Sequence, residues 1–218
     1  MFLGHYGLAF GAKRLAPVTS LGTLILAAQL ADEVWPIMLL ARVEKVRVVP
    51  GLQAASPMDF VSYPITHSLL TGAVAGLIFG VLYFLARRQK RGAWVVGALV
   101  PSHWFLDLLM HRPDLPLWPG GSKVGLGAWD SVPLTLLLEL VFFGGGLVVY
   151  LRSTVAIDRT GTVALWAMVG LLGLFYSSGF IGPPPSPEAV AWGALLLWLF
   201  VPWGYWIDRH RRLATNLS

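Results

Sequence analysis

Cysteine is absent from the 218 residues, and charged side chains make up only 12% of them. Without thiols the chain forms neither a disulfide framework nor a thiolate metal site, so any metal must be held by nitrogen and oxygen. Also missing is any polar stretch long enough to build a water-soluble core, while hydrophobic residues reach 56%. The sequence has no Gly-x-Ser-x-Gly elbow and no P-loop, so nothing in it calls for a serine nucleophile or a nucleotide cradle. Met1 to Phe10 has neither a basic start nor a small-residue cleavage site, and the N-terminus is read as retained.

What is present is apolar length. Six segments reach or approach the roughly 20 residues that a helix needs to cross a bilayer: 19–41, 68–86, 92–110, 132–151, 163–181 and 188–207. Ahead of them, Phe2 to Leu15 is too short to cross but carries Gly4, Gly7 and Gly11 at a spacing that lets helices approach closely. The expected fold is all-α: a polytopic membrane helical bundle of six transmembrane helices plus a short N-terminal helix, half-depth or interfacial, ended by Pro17. It reads as one domain, 1–218, with a metal site within 1–120 and accessory spans in 132–207. Its surroundings are the lipid bilayer. The net charge of +5 sits in short basic clusters between spans, where it sets topology rather than binding nucleic acid.

Those clusters orient the chain. Arg87, Arg88, Lys90 and Arg91 form the densest one, and Arg209, Arg211 and Arg212 follow the last span. Placing both in the cytoplasm puts both termini there, although Arg42, Lys45, Arg47, Arg112 and Lys123 fall on the other side.

Within the third apolar segment, His103, Asp107 and His111 recur every four residues. On a helix that spacing stacks three metal-ligand candidates along one face, and ionisable groups at membrane depth mark functional sites or pathways. At about 1.5 Å of rise per residue, His103 lies roughly 18 Å above Arg91 and Asp32 roughly 20 Å above the start of its own span. His67 starts the second span at the same, outer level. His5 reaches only about 13 Å above Arg14 and fits this level least well. The metal-ligand candidates are thus His5, Asp32, His67, His103 and Asp107. Glu33, about 100° around the helix from Asp32, is a candidate general base. His111 is a candidate ligand or substrate contact, Arg112 and Lys123 are candidates to meet substrate charge, and Glu139 is a lone acid within the fourth span.

The same residues resemble a known family. Gly4-His5, Asp32-Glu33, Thr66-His67-Ser68-Leu69-Leu70 and Ser102-His103 with Asp107, followed by Leu115-Pro116-Leu117-Trp118-Pro119, are similar in order and spacing to the bacterial membrane-bound metal-dependent hydrolases of the LexA-regulated inner-membrane group. The resemblance covers roughly the first 120 residues. It departs at Val34, where the family carries a second Asp, and at Ser62-Tyr63-Pro64, where it carries His-Arg-Gly.

That group is distantly similar to zinc-dependent phospholipase C. The resemblance therefore implies a bacterial inner-membrane location and hydrolysis of a phosphoester; a site opening toward the outer leaflet makes a lipid or lipid-linked phosphate the expected substrate. It also implies one or two divalent ions, zinc first, held by the five ligand candidates. Two alternatives stay open: an ion or metal transporter using the same residues as a relay, and a degenerate member serving as a membrane scaffold.

Overall fold

The computed structural model describes residues 1–214. Among the described residues, eight α-helices account for most of the length: α1 (Leu3–Leu15), α2 (Leu21–Leu40), α3 (Leu69–Arg87), α4 (Lys90–Met110), α5 (Val132–Ser153), α6 (Arg159–Ser178), α7 (Pro187–Ala194) and α8 (Phe200–Arg209). Six spans are long and apolar enough to cross a membrane: α2 to α6, and Pro187–Arg209, in which a short 3-10 stretch joins α7 to α8. The protein is an all-α membrane bundle, with boundaries within a few residues of those expected.

Side chains of the chain itself punctuate these helices. Ser20, Ser68, Ser131, Asp158 and Ser186 each accept a hydrogen bond from a backbone N–H in the first turn of α2, α3, α5, α6 and α7, satisfying donors that a helix start leaves unpaired. Large apolar side chains such as Leu77, Trp94, Leu140 and Leu174 stay exposed on the outside of the bundle. A bilayer takes them up where water would not.

The spans define two ends. The basic end holds the α3–α4 turn with Arg87, Arg88, Lys90 and Arg91 and the close of α8; the opposite end holds the 41–68 and 111–131 connections. Those connections are not irregular loops. β1 (Lys45–Val48) pairs antiparallel with β2 (Met58–Ser62), and the short β3 (Leu115–Pro116) and β4 (Lys123–Val124) form a second ribbon. A third ribbon, β5 (Thr154–Ala156) with β6 (Arg211–Leu213), ties the end of α5 to the tail at the basic end.

The N-terminal helix corrects the expectation of an interfacial position. α1 is buried along most of its length, packed against α5 and α2. A Cβ added at Gly7 would collide with the Phe142 carbonyl, and one added at Gly146 would collide with the Gly7 carbonyl. The two backbones therefore touch, as small residues permit in bundles that gain little from the hydrophobic effect. Because α1 runs from inside the bundle toward the basic end, Met1 lies beside Asp107 and not with Arg209 at the basic end.

Candidate metal centre

Four elements deliver the ligand candidates to one place. α1 brings His5, α2 brings Asp32, the residue just before the α3 cap is His67, and α4 carries His103 and Asp107 one turn apart. His67 Nε2 lies 3.3 Å from Asp32 Oδ1 and 3.8 Å from Asp107 Oδ2. His103 Nε2 lies 3.7 Å from Asp32 Oδ1 and 3.2 Å from Asp107 Oδ2. Tetrahedral zinc with bonds of about 2.0–2.1 Å separates its ligand atoms by about 3.3 Å, and these four distances bracket that figure. These four of the six separations suit a divalent ion of the zinc class, and Asp32, His67 and His103 form one compact set of three ligands.

Asp107 serves a second position as well. Its Oδ1 faces His5 Nε2 at 3.1 Å, and the Met1 amino nitrogen donates to the same oxygen. His5 stacks face to face on His103 with ring centroids 3.6 Å apart. Two sets of three potential ligands, His5–His103–Asp107 and Asp32–His67–His103, share His103. One carboxylate reaching two positions is the arrangement that two-metal sites use.

The imidazole tautomers follow from their outer partners. His103 Nδ1 donates to the Ala28 carbonyl at 2.9 Å, which turns the lone pair of Nε2 toward the carboxylates. Thr66 Oγ1 donates to Glu44 Oε2 at 2.6 Å and accepts from His67 Nδ1 at 2.7 Å, so His67 Nε2 is likewise left as an acceptor. Hydrogen bonds of this kind orient metal-binding histidines. His103 Nε2 and His5 Nδ1 are buried and have no hydrogen-bond partner among the described residues. An orphaned buried nitrogen is costly unless something else satisfies it.

The three candidates for catalysis lie elsewhere. Glu33 is fully buried on another face of α2, one turn after Gln29, and neither its carboxylate oxygens nor the Gln29 amide finds a partner among the described residues. Its turn away from Asp32 is the helical offset seen in the sequence. His111 belongs to a separate network beneath the ribbons: its Nδ1 lies 2.9 Å from Asp114 Oδ1 and 3.3 Å from the Tyr63 hydroxyl, and its ring packs on Phe60 and Trp129. Burial holds this imidazole below its ordinary range. Burial would raise Asp114, but hydrogen bonds from His111, Tyr63 and Arg112 outweigh it and hold the carboxyl low. Arg112 is engaged by Asp59 and Asp114, so its charge is already matched. Lys123 is exposed and reaches only the Val61 carbonyl at 3.5 Å.

Glu139 has a structural task. Its two oxygens accept from the backbone N–H groups of Phe2 and Gly4, both at 2.7 Å, capping the start of α1 just ahead of His5. Sequence reasoning missed Glu44, Asp59 and Asp114, which come from connections without helical periodicity. Tyr63 stands within the departure from the family pattern and supplies the link between His111 and Asp114. Comparison with protein-family models, with curated proteins and with solved structures finds no match to this chain.

Proposed function

We propose that the protein is an integral-membrane, metal-dependent hydrolase of a phosphoester carried by a lipid or lipid-linked phosphate. The observation that carries this reading is the convergence of His67, His103, Asp32 and Asp107 at separations of 3.2–3.8 Å, each imidazole presenting Nε2. When bound there, a divalent ion supplies an acidified water at neutral pH and polarisation of a phosphoryl oxygen. The family resemblance of the first 120 residues supports the phosphoester and an inner-membrane location, with the ligand end of the bundle outside the cytoplasm. His5 and the second oxygen of Asp107 are the groups for a second ion.

The chain's own residues do the positioning. Glu44 and Thr66 hold His67, the Ala28 carbonyl holds His103, and Glu139 holds the start of α1 so that His5 reaches Asp107. With a substrate phosphate at the ligand level, no separate protein nucleophile is required. The test is metal analysis of detergent-purified protein beside a His103→Ala, Asp107→Ala double variant, with phosphate release from lipid phosphates measured with and without chelator. Expected are one to two divalent ions per chain, lost in the variant, and activity that the chelator abolishes. Protein without metal, or activity indifferent to the chelator, would overturn the proposal; metal-dependent uptake into vesicles would replace it with transport.

A further inference from the structure

The ligand cluster is open on one side. Asp32 keeps 20% of its side-chain surface exposed, whereas His5, His67, His103 and Asp107 keep 4% or less. Beside the cluster, α2, α3 and α4 line a cavity of about 190 Å³ whose wall includes His67 and His103 but not Asp32. Its lining changes with depth. Thr66, Ser68 and Thr71 lie at the ligand level, while Ala75 is roughly 10 Å further along α3 toward the basic end. Leu30 and Val34 flank Asp32 on α2, and Val100 lies one turn below His103. The apolar wall therefore begins within a single helical turn of the ligands.

Gly72 shows that the gap is not a by-product of tight helix packing. A Cβ at Gly76 would collide with the Gly97 carbonyl, so that glycine is needed for the α3–α4 contact. At Gly72 the nearest atom to an added Cβ is Pro101 Cα at 3.7 Å, an ordinary contact. A larger residue would be accommodated there by filling the cavity. The lining residues Leu30, Ala31, Val34, Thr71, Gly72 and Ala75 are each partly exposed, so the cavity opens sideways between α2 and α3, at bilayer depth. At about 190 Å³ the cavity is smaller than the roughly 300–1,000 Å³ that encloses a drug-sized ligand. It has room for the part of a lipid next to its headgroup, with the remainder of the chain left in the membrane.

We infer that the site takes its substrate laterally between α2 and α3, and that the substrate is an alkyl or prenyl phosphate, with phosphate bonded directly to a slender apolar chain, rather than a glycerophospholipid. The inference rests on the hydrolase reading for the reaction, but the cavity can be tested without it. A polar glycerol backbone between phosphate and chain would meet Val100, Leu30 and Val34, and the one hydroxyl at that depth, Thr71, already donates to the Ser68 carbonyl. In the reaction, a water oxygen bonds to phosphorus, the phosphorus–oxygen bond to the chain breaks, and the departing alkoxide takes a proton from that water. The products are a chain alcohol, which returns to the bilayer, and inorganic phosphate.

The experiment uses decylphosphonate carrying a diazirine in its chain, a non-hydrolysable probe, added to Zn²⁺-loaded protein in vesicles. Photolabelling is expected at 30–34 and 71–75, reduced at least tenfold by Gly72→Leu and by Ala75→Leu, each variant being checked for retained metal and monodisperse elution. Excess decyl phosphate is expected to compete and phosphatidic acid is not. Labelling spread over Leu70, Val74 and Leu77 and indifferent to both variants would overturn lateral entry, and equal competition by phosphatidic acid would overturn the substrate class. Cavity labelling without chelator-sensitive phosphate release would uphold this site and sink the hydrolase reading; phosphate release without cavity labelling would do the reverse.

Discussion

A single hydroxyl stands between a buried carboxylate and His67, a candidate metal ligand. Thr66 Oγ1 joins Glu44 to His67 within 2.7 Å on either side, and removing it frees the imidazole to rotate or change tautomer. Thr66→Val is expected to weaken Zn²⁺ binding by about 10–100-fold, the usual cost of losing such an outer partner, with Thr66→Ser restoring it. Competition against a chromogenic chelator measures this, and an unchanged affinity would show that His67 needs no orientation from Glu44. At this scale the sequence was legible where spacing carried information. His103 and Asp107 are one helical turn apart and Asp32 sits in an apolar run, whereas Glu44, Asp59 and Asp114 lie in polar connections where an acid is unremarkable. His111 shows the limit of periodicity: it continues the four-residue spacing but falls just past the last residue of α4, and there its partners are Asp114 and Tyr63.

Between elements, the informative contact is α1 on α5. His5 reaches Asp107 because Gly7 and Gly146 let the two backbones meet, and because Glu139 caps the start of α1. Gly7→Ala drives a methyl group into the Phe142 carbonyl, whereas at Gly11 the added carbon meets Gly146 Cα at 3.6 Å, an ordinary contact. Gly7→Ala is therefore expected to cost about 1–3 kcal/mol by overpacking and to lower the amount of bound metal, while Gly11→Ala is tolerated. Thermal unfolding in detergent together with metal stoichiometry checks both, and equal effects at the two glycines would refute the close-contact argument. The glycine spacing was visible in the sequence; the helix that would receive it was not, since nothing local to residues 2–15 points to residues 142–146.

For the molecule as a whole, the two ends of the bundle differ in charge and in content. Arg87, Arg88, Lys90 and Arg91 crowd one end, and the ligand cluster lies toward the other, beneath the ribbons. The lack of native cysteine makes sidedness simple to measure. Arg88→Cys and Ser122→Cys are expected to react with a membrane-impermeant maleimide from opposite faces of vesicles of known orientation, Arg88→Cys from the cytoplasmic face. The reverse result would turn the site toward the cytoplasm and remove the basic clusters as the guide to topology.

Composition and the length of the apolar runs determined by themselves that this is a six-span helical membrane protein, because a bilayer admits few other backbones and each helix satisfies its own hydrogen bonds. They also marked the imidazoles and carboxylates that are too expensive to bury alone. Only the tertiary structure decided which of these meet. Coordination distances depend on how α1, α2, α3 and α4 pack, and that packing is set by backbone contacts between residues far apart in the chain, which no local pattern records.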